Sequence, residues 1–358
     1  MRVKIITKKR NYREGNISDI IKFIDEILKT YSVIAPTKIE GKQTKFTQIS
    51  SSTEILLNPI HQTSFSFKDW LLPRNQVLLQ YNINTNDITI DDSVGFSSKK
   101  RILFGLHPCD LHSIQILDQI FLEEQDLDVQ YKKLRENTLI IGLGCKEPFK
   151  NCFCASVNTL EPPDGTFDLF FYLKGKKFYV FKGSSEGADL IKKLKSKVSI
   201  DGEEQISLIN KHIASAQKLK FPIDEDLGAK IKETYGSEFW DDLGKKCFGC
   251  AGCTIVCPTC YCFFVDDKVE NDGKKKMYKR IRDWDSCTLN NWALAAGGHN
   301  FQNNRGVRLN RRFMHKFSQL KTKLGRIACV GCGRCIDICP TGASNPVNVI
   351  KDLIKFKK

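Results

Sequence analysis

Two cysteine runs of identical spacing dominate the second half of the chain and restrict its fold more than any other feature. They are Cys247-x2-Cys250-x2-Cys253-x3-Cys257-Pro258 and Cys329-x2-Cys332-x2-Cys335-x3-Cys339-Pro340. A cubic iron-sulfur cluster needs four thiolates arriving from different directions, and two-residue gaps let one tight turn supply three of them. The fourth cysteine stands before a proline that redirects the chain, and in two-cluster ferredoxins it ligates the other cube. The pattern therefore predicts one 4Fe-4S cluster on Cys247, Cys250, Cys253 and Cys339, and a second on Cys329, Cys332, Cys335 and Cys257. Gly249, Ala251, Gly252, Gly331 and Gly333 give the backbone room to approach the sulfides. Zinc prefers four ligands from two knuckles and would leave half of these eight unused.

The chain holds fifteen cysteines, an odd number that cannot all pair within one molecule. The N-terminal stretch MRVKIITKKRNYREGNISDI lacks the apolar core of a signal peptide, and no later window reaches bilayer-spanning length. A cytoplasmic location with no membrane span is expected, where stable disulfides are disfavoured and metal ligation is the better use of thiols. Cys260, Cys262 and Cys287 are alternative ligands near the first repeat or buried non-ligand cysteines, the latter being the commoner case. Cys109, Cys145, Cys152 and Cys154 are all the cysteines of the first 222 residues. Four suits a third metal or redox site as well as four unrelated core thiols, and both readings stay open. Cys253-x3-Cys257-x2-Cys260 also matches the spacing of radical S-adenosylmethionine enzymes, but the 98 residues that follow are too few for their barrel.

A formal net charge of +15 would suit phosphate binding. Lysine, isoleucine and asparagine are nevertheless abundant along the whole chain, and only the lysines at 274–276 with Lys279 and Arg280 form a dense run. Metal-bound thiolates also lower the real charge, so no nucleic-acid partner is expected. Arg305, Arg308, Arg311 and Arg312 recur at near-helical spacing between His299 and His315. They are a cationic wall that would stabilise a reduced cluster or, the favoured reading, a solvated basic face.

Along the first part, Ile17, Ile20, Ile21, Ile24, Ile27 and Leu28 trace a helical stripe with Ser18 as an available cap. Segments 75–83, 101–106 and 138–144 read as buried strands. Leu111, Ile114, Leu117 and Phe121 form a helix between the last two, a strand–helix–strand crossover. Two strands join around Gly175, and helices are expected at 186–195 and 204–219. Gly142-Leu-Gly144 resembles the start of a dinucleotide loop, but Glu147 stands at the third glycine position. The composition turns polar near Phe221-Pro222. The expected class is α+β: a mixed α/β domain over 1–222 and an α-helical dicluster ferredoxin domain over 223–358. Between the repeats, SCTLNNWALAAGG and VRLNRRFMHKFSQLKTKLG predict helices rather than strands, and NPVNVIKDLIKFKK a closing helix. No paired-carboxylate or Ser-His-Asp arrangement stands out.

The motifs LFGLHPCDLHSIQILD, GCKEPFKNCFCAS, CAGCTIVCPTCYCFFVDD, WDSC, AAGGHNFQNNRGVRLNRRFMHKF and CVGCGRCIDICPTGA together resemble the 4Fe-4S dicluster β subunits of cytoplasmic sulfhydrogenase-type NiFe hydrogenases. The iron-sulfur A subunit of anaerobic sulfite reductase is similar and is the alternative. The resemblance runs from about residue 100 onward and its eight repeat cysteines match position by position. It implies a non-catalytic relay subunit of a multi-subunit oxidoreductase. Electrons would pass between a flavin and NAD(P)H-binding subunit and the NiFe small and large subunits, or the corresponding sulfite reductase subunits.

Overall fold

The computed structural model describes residues 10–39, 43–57, 62–84, 87–92, 100–222, 226–271 and 276–357. Lys274 and Lys275 of the basic run lie outside these limits. Twelve strands are described: β1 (Arg13–Asn16), β2 (Ser32–Lys38), β3 (Thr44–Ile49), β4 (Gln76–Asn84), β5 (Asp87–Asp91), β6 (Arg101–Leu106), β7 (Thr138–Leu143), β8 (Leu169–Lys174), β9 (Lys177–Lys182), β10 (Lys197–Val198), β11 (Phe263–Asn271) and β12 (Lys276–Trp284). Eight of them make one sheet in the order β10-β1-β9-β8-β7-β6-β2-β3. Its centre, β2-β6-β7-β8, is parallel and its flanks are antiparallel.

Strand period two explains how this sheet is covered on both faces. Ile102 and Phe104 of β6, with Ile141 of β7 and Phe171 of β8, meet Ile20, Phe23, Ile24 and Ile27 of the helix Ile17–Leu28. Leu103, Ile140 and Phe170 point the other way, onto Leu111, Ile114 and Leu117 of the helix Pro108–Phe121 and Ile206, Ile209 and Ile213 of the helix Gly202–Ala216. The expected β6–helix–β7 crossover is present, with β6 and β7 paired in parallel. The first helix is capped at Asn16, whose backbone N–H donates to Asp19 Oδ2 at 3.3 Å; Ser18 lies inside its first turn. A cap ahead of the apolar stripe leaves Ser18 free of that task.

Three expectations for the remaining chain are corrected. The link between the cysteine repeats is not wholly helical: β11 and β12 form a hairpin, and β12 continues into β4 and β5 to make a four-stranded antiparallel sheet. Phe263, Phe264 and Val265 supply strand propensity. Across the hairpin, the Asp267 carboxylate accepts two hydrogen bonds from Arg280 at 2.9 and 2.8 Å, and between β12 and β4 the rings of Tyr278 and Tyr81 stack at 5.0 Å. Segment 75–83, expected as a buried strand, is β4 of this sheet and is half-buried. The stretch SCTLNNWALAAGG forms only a short 3-10 turn at Asn290–Ala293, because its polar Asn pair and Gly297-Gly298 offer no continuous apolar face.

A third core lies under the C-terminal helices. Trp240, Leu309, Phe313, Phe317, Val347 and Ile350 pack there with Phe153 from the α/β portion. Trp240 is fully buried and its indole N–H donates to Thr234 Oγ1 at 3.1 Å. Trp240→Ala is expected to cost about 3–5 kcal/mol, read as a lowered denaturant midpoint. Among the described residues no helix is long and apolar enough to cross a membrane.

Candidate functional site

The tight turns expected from the cysteine spacing are built by left-handed backbone. Gly249 (φ 66°) and Ala251 (φ 61°) coil the first turn, and Gly331 (φ 64°) and Gly333 (φ 82°) the second, ahead of short helices at Gly252–Ile255 and Arg334–Asp337. An L residue pays a steric cost in this region, and three of the four positions are glycine.

Cys257, the last cysteine of the first repeat, lines one enclosed cavity with Cys329, Cys332 and Cys335 of the second. Reciprocally, Cys253 lies within electrostatic reach of Cys247 and of Cys339, the last cysteine of the second repeat. The first set is the more superficial: Cys250 is exposed and Cys247 and Cys339 are half-buried, whereas Cys332 and Cys335 are buried. Among the described residues no three His, Cys, Asp or Glu side chains close round a single ion. A cube spreads its thiolates more widely than one zinc ion, whose sulfurs sit about 2.3 Å from the metal.

The walls of the cavity are cationic. The helix Arg305–Met314 passes into a π turn at His315–Gln319 and resumes at Leu320–Leu324 before Gly325 (φ 67°) ends it. Arg308, Arg312 and Lys316, spaced four residues apart along this helix and turn, are all buried, at 5%, 3% and 4% exposure. The arginine series is thus not simply a solvated face, although its other members lie outside this buried row. Arg308 is held by the carbonyl oxygens of Thr288 and Gln302 and by Asn290 Oδ1. Lys316 Nζ donates to Thr259 Oγ1 at 2.7 Å and to Ala328 O at 3.3 Å. Burial by itself would lower the Lys316 ammonium, but the sulfurs of Cys257 and Cys260 outweigh it and hold the pKa above the usual lysine range. Arg312 is opposed by burial in the same way and held charged by Cys253, Cys335, Cys260 and Cys257, so it stands between the two cysteine sets. Its Nε is buried without a hydrogen-bond partner among the described residues, as expected of a donor facing the space a sulfide-bearing anion would fill.

Thiolate chemistry follows the same logic. Hydrogen bonding from Cys260, aided by Lys316 and Thr259, holds Cys257 well below the ordinary thiol range despite its burial. At Cys339 burial raises the pKa, yet hydrogen bonds from Ser344 and Thr341 win and bring it to about 7. Burial pushes Cys332 up to about 12, an effect that metal ligation would reverse. Four thiols ringing a cavity with buried cations is a donor set that fits an anionic iron-sulfur cluster.

Residues 246–343 match the family model of the 4Fe-4S dicluster domain. Over 322 residues the chain is 31% identical to sulfhydrogenase 2 subunit beta of Pyrococcus furiosus, covering 89% of this chain and 91% of that protein. The chain belongs to the sulfhydrogenase β-subunit family. It is a 4Fe-4S iron-sulfur subunit of electron transfer.

Several residues of this β subunit's site escaped sequence reasoning. Lys68, from the α/β portion, is buried and donates to the carbonyl oxygens of Cys260 at 2.9 Å and Cys257 at 3.3 Å, with its ammonium 3.9 Å from the Trp284 ring centre. Arg334 of the second repeat forms a buried ion pair with Asp110 at 2.8 Å and donates to Thr63 O and Oγ1. An arginine enclosed by two cluster cysteines was a usable signal; nothing in the local sequence marked Lys68. Cys260, Cys262 and Cys287 line a neighbouring cavity with Trp292, Arg311 and His315.

Proposed function

We propose that Cys247, Cys250, Cys253 and Cys339 hold one 4Fe-4S cluster and Cys329, Cys332, Cys335 and Cys257 another, forming a two-step relay for single electrons. The observation that carries this reading is the crossing of the fourth ligands, above all Cys257 in the cavity of the second repeat. When bound, the clusters supply one-electron storage at a potential set by charge, hydrogen bonds and solvent. The chain's own residues hold the thiolates, exclude water around the second set and oppose its negative charge with Lys316 and Arg312. Exposed Cys250, flanked by Phe248 at 69% exposure, makes the first set the port towards a partner. The partners of this reading are a flavin and NAD(P)H-binding subunit on one side and NiFe hydrogenase small and large subunits on the other. Residues 223–358 carry both clusters, and residues 1–222 support them.

Cys250→Ala in the intact complex tests this reading. The substitution is expected to remove about four irons per chain and to stop hydrogen-dependent NAD(P)+ reduction, while nickel content and hydrogen uptake with an artificial acceptor at the hydrogenase subunits persist. Unchanged NAD(P)+ reduction would overturn it.

A further inference from the structure

Outside the two repeats, the fold gathers the four remaining cysteines of the α/β portion. β6 and β7 are adjacent parallel strands, so their carboxyl ends lie side by side. Cys109 follows β6 in the first turn of its helix, and Cys145 stands two residues beyond β7. The next loop brings back Cys152 and Cys154, and Cys109 and Cys154 share one buried core cluster against which Cys145 packs. Cys154 is within electrostatic reach of both Cys109 and Cys145. Cys109, Cys152 and Cys154 are buried, at 6–7% exposure.

Polar groups converge on these sulfurs rather than leaving them as inert core atoms. Gln217 Nε2 donates to Cys154 Sγ at 2.9 Å, and Gln62 Nε2 lies 3.9 Å from Cys109 Sγ. Amide donors to sulfur are what a cluster thiolate uses to stabilise its charge. The site also abuts the second repeat. A Cβ on Gly331 would lie 2.7 Å from Cys154 Cα, and one on Gly333 would lie 3.0 Å from Cys152 N, so backbone packs directly on backbone. Cys332 is within electrostatic reach of Cys109.

We propose that Cys109, Cys145, Cys152 and Cys154 ligate a third 4Fe-4S cluster, seated at the carboxyl edge of β6 and β7 beside the cluster of the second repeat. Four cysteines supply the full ligand set of a cube. The site stands on its own geometry; its role as an extra relay step, passing one electron at a time to the second cluster, rests on the proposed function.

The test is iron and acid-labile sulfide in the full-length chain purified anaerobically, with Mössbauer spectroscopy to assign cluster type. Three clusters give about twelve irons per chain and two give about eight. The expected result is about twelve in the wild type, all in cubic clusters, falling by about four in Cys145→Ser. About eight in the wild type, an unchanged iron count in Cys145→Ser, or one zinc per chain lost in that variant would overturn the third site while leaving the two-cluster reading intact. About four or fewer would overturn both. If Cys145→Ser does not fold, the wild-type count still decides.

Discussion

Cys257→Ala is expected to destroy the cluster of the second repeat while sparing that of the first, although Cys257 belongs to the first repeat in sequence. The reason is spatial: its thiol opens into the cavity formed with Cys329, Cys332 and Cys335. Cys253→Ala should do the opposite, since Cys253 is a ligand of the proposed first cluster and lies within electrostatic reach of Cys247 and Cys339. Each variant loses about four irons per chain, so iron content alone does not separate them. Electron paramagnetic resonance of the dithionite-reduced proteins does. The two variants should retain different signals that together account for the wild-type spectrum from these two sites. Loss of the same signal in both would refute the crossing of ligands.

Lys316→Met is expected to make the second cluster harder to reduce by on the order of 100 mV. The sign follows from charge. The reduced cluster carries one more negative charge than the oxidised one, and the buried ammonium beside Cys257 and Cys260 favours that state. Methionine keeps much of the volume and the apolar contacts, but not the positive charge or the donors to Thr259 and Ala328. Exposed Lys211 offers the control, because solvent screens a surface charge. Potentiometric titration of the paramagnetic signal gives the comparison, and equal midpoints for Lys316→Met and Lys211→Met would remove Lys316 from the electrostatic account.

The cysteine chemistry was legible because spacing alone limits what a tight turn can ligate. The α/β portion was legible because the short apolar runs at 101–106 and 138–144 and the helical spacing between them reinforce one another. The β11–β12 hairpin was not. Asp266, Asp267 and Lys268 interrupt its apolar pattern, and their compatibility with a strand appears only with partners such as Arg280 across the pair. Lys68 was hidden for a related reason. Its local sequence reads as a surface lysine, and only the approach of the first repeat, with Trp284, encloses it. The favoured solvated face at Arg305–Arg312 fails because Arg308 and Arg312, one α-helical turn apart, lie on the buried side of their helix while Arg305 stays exposed, a division that charge alone does not reveal.

The sheet shared by β4, β5, β11 and β12 bears on how such a protein could be dissected or reused. A truncation beginning after Pro222 would strip β12 of its neighbour β4, withdraw Lys68 from the loop behind Cys257, and leave Arg334 without Asp110. The ferredoxin-like segment is therefore not a transplantable cassette. Engineering electron delivery to a foreign enzyme would require grafting the whole polypeptide, with the new interface placed near Cys250 where the scaffold is already open to solvent.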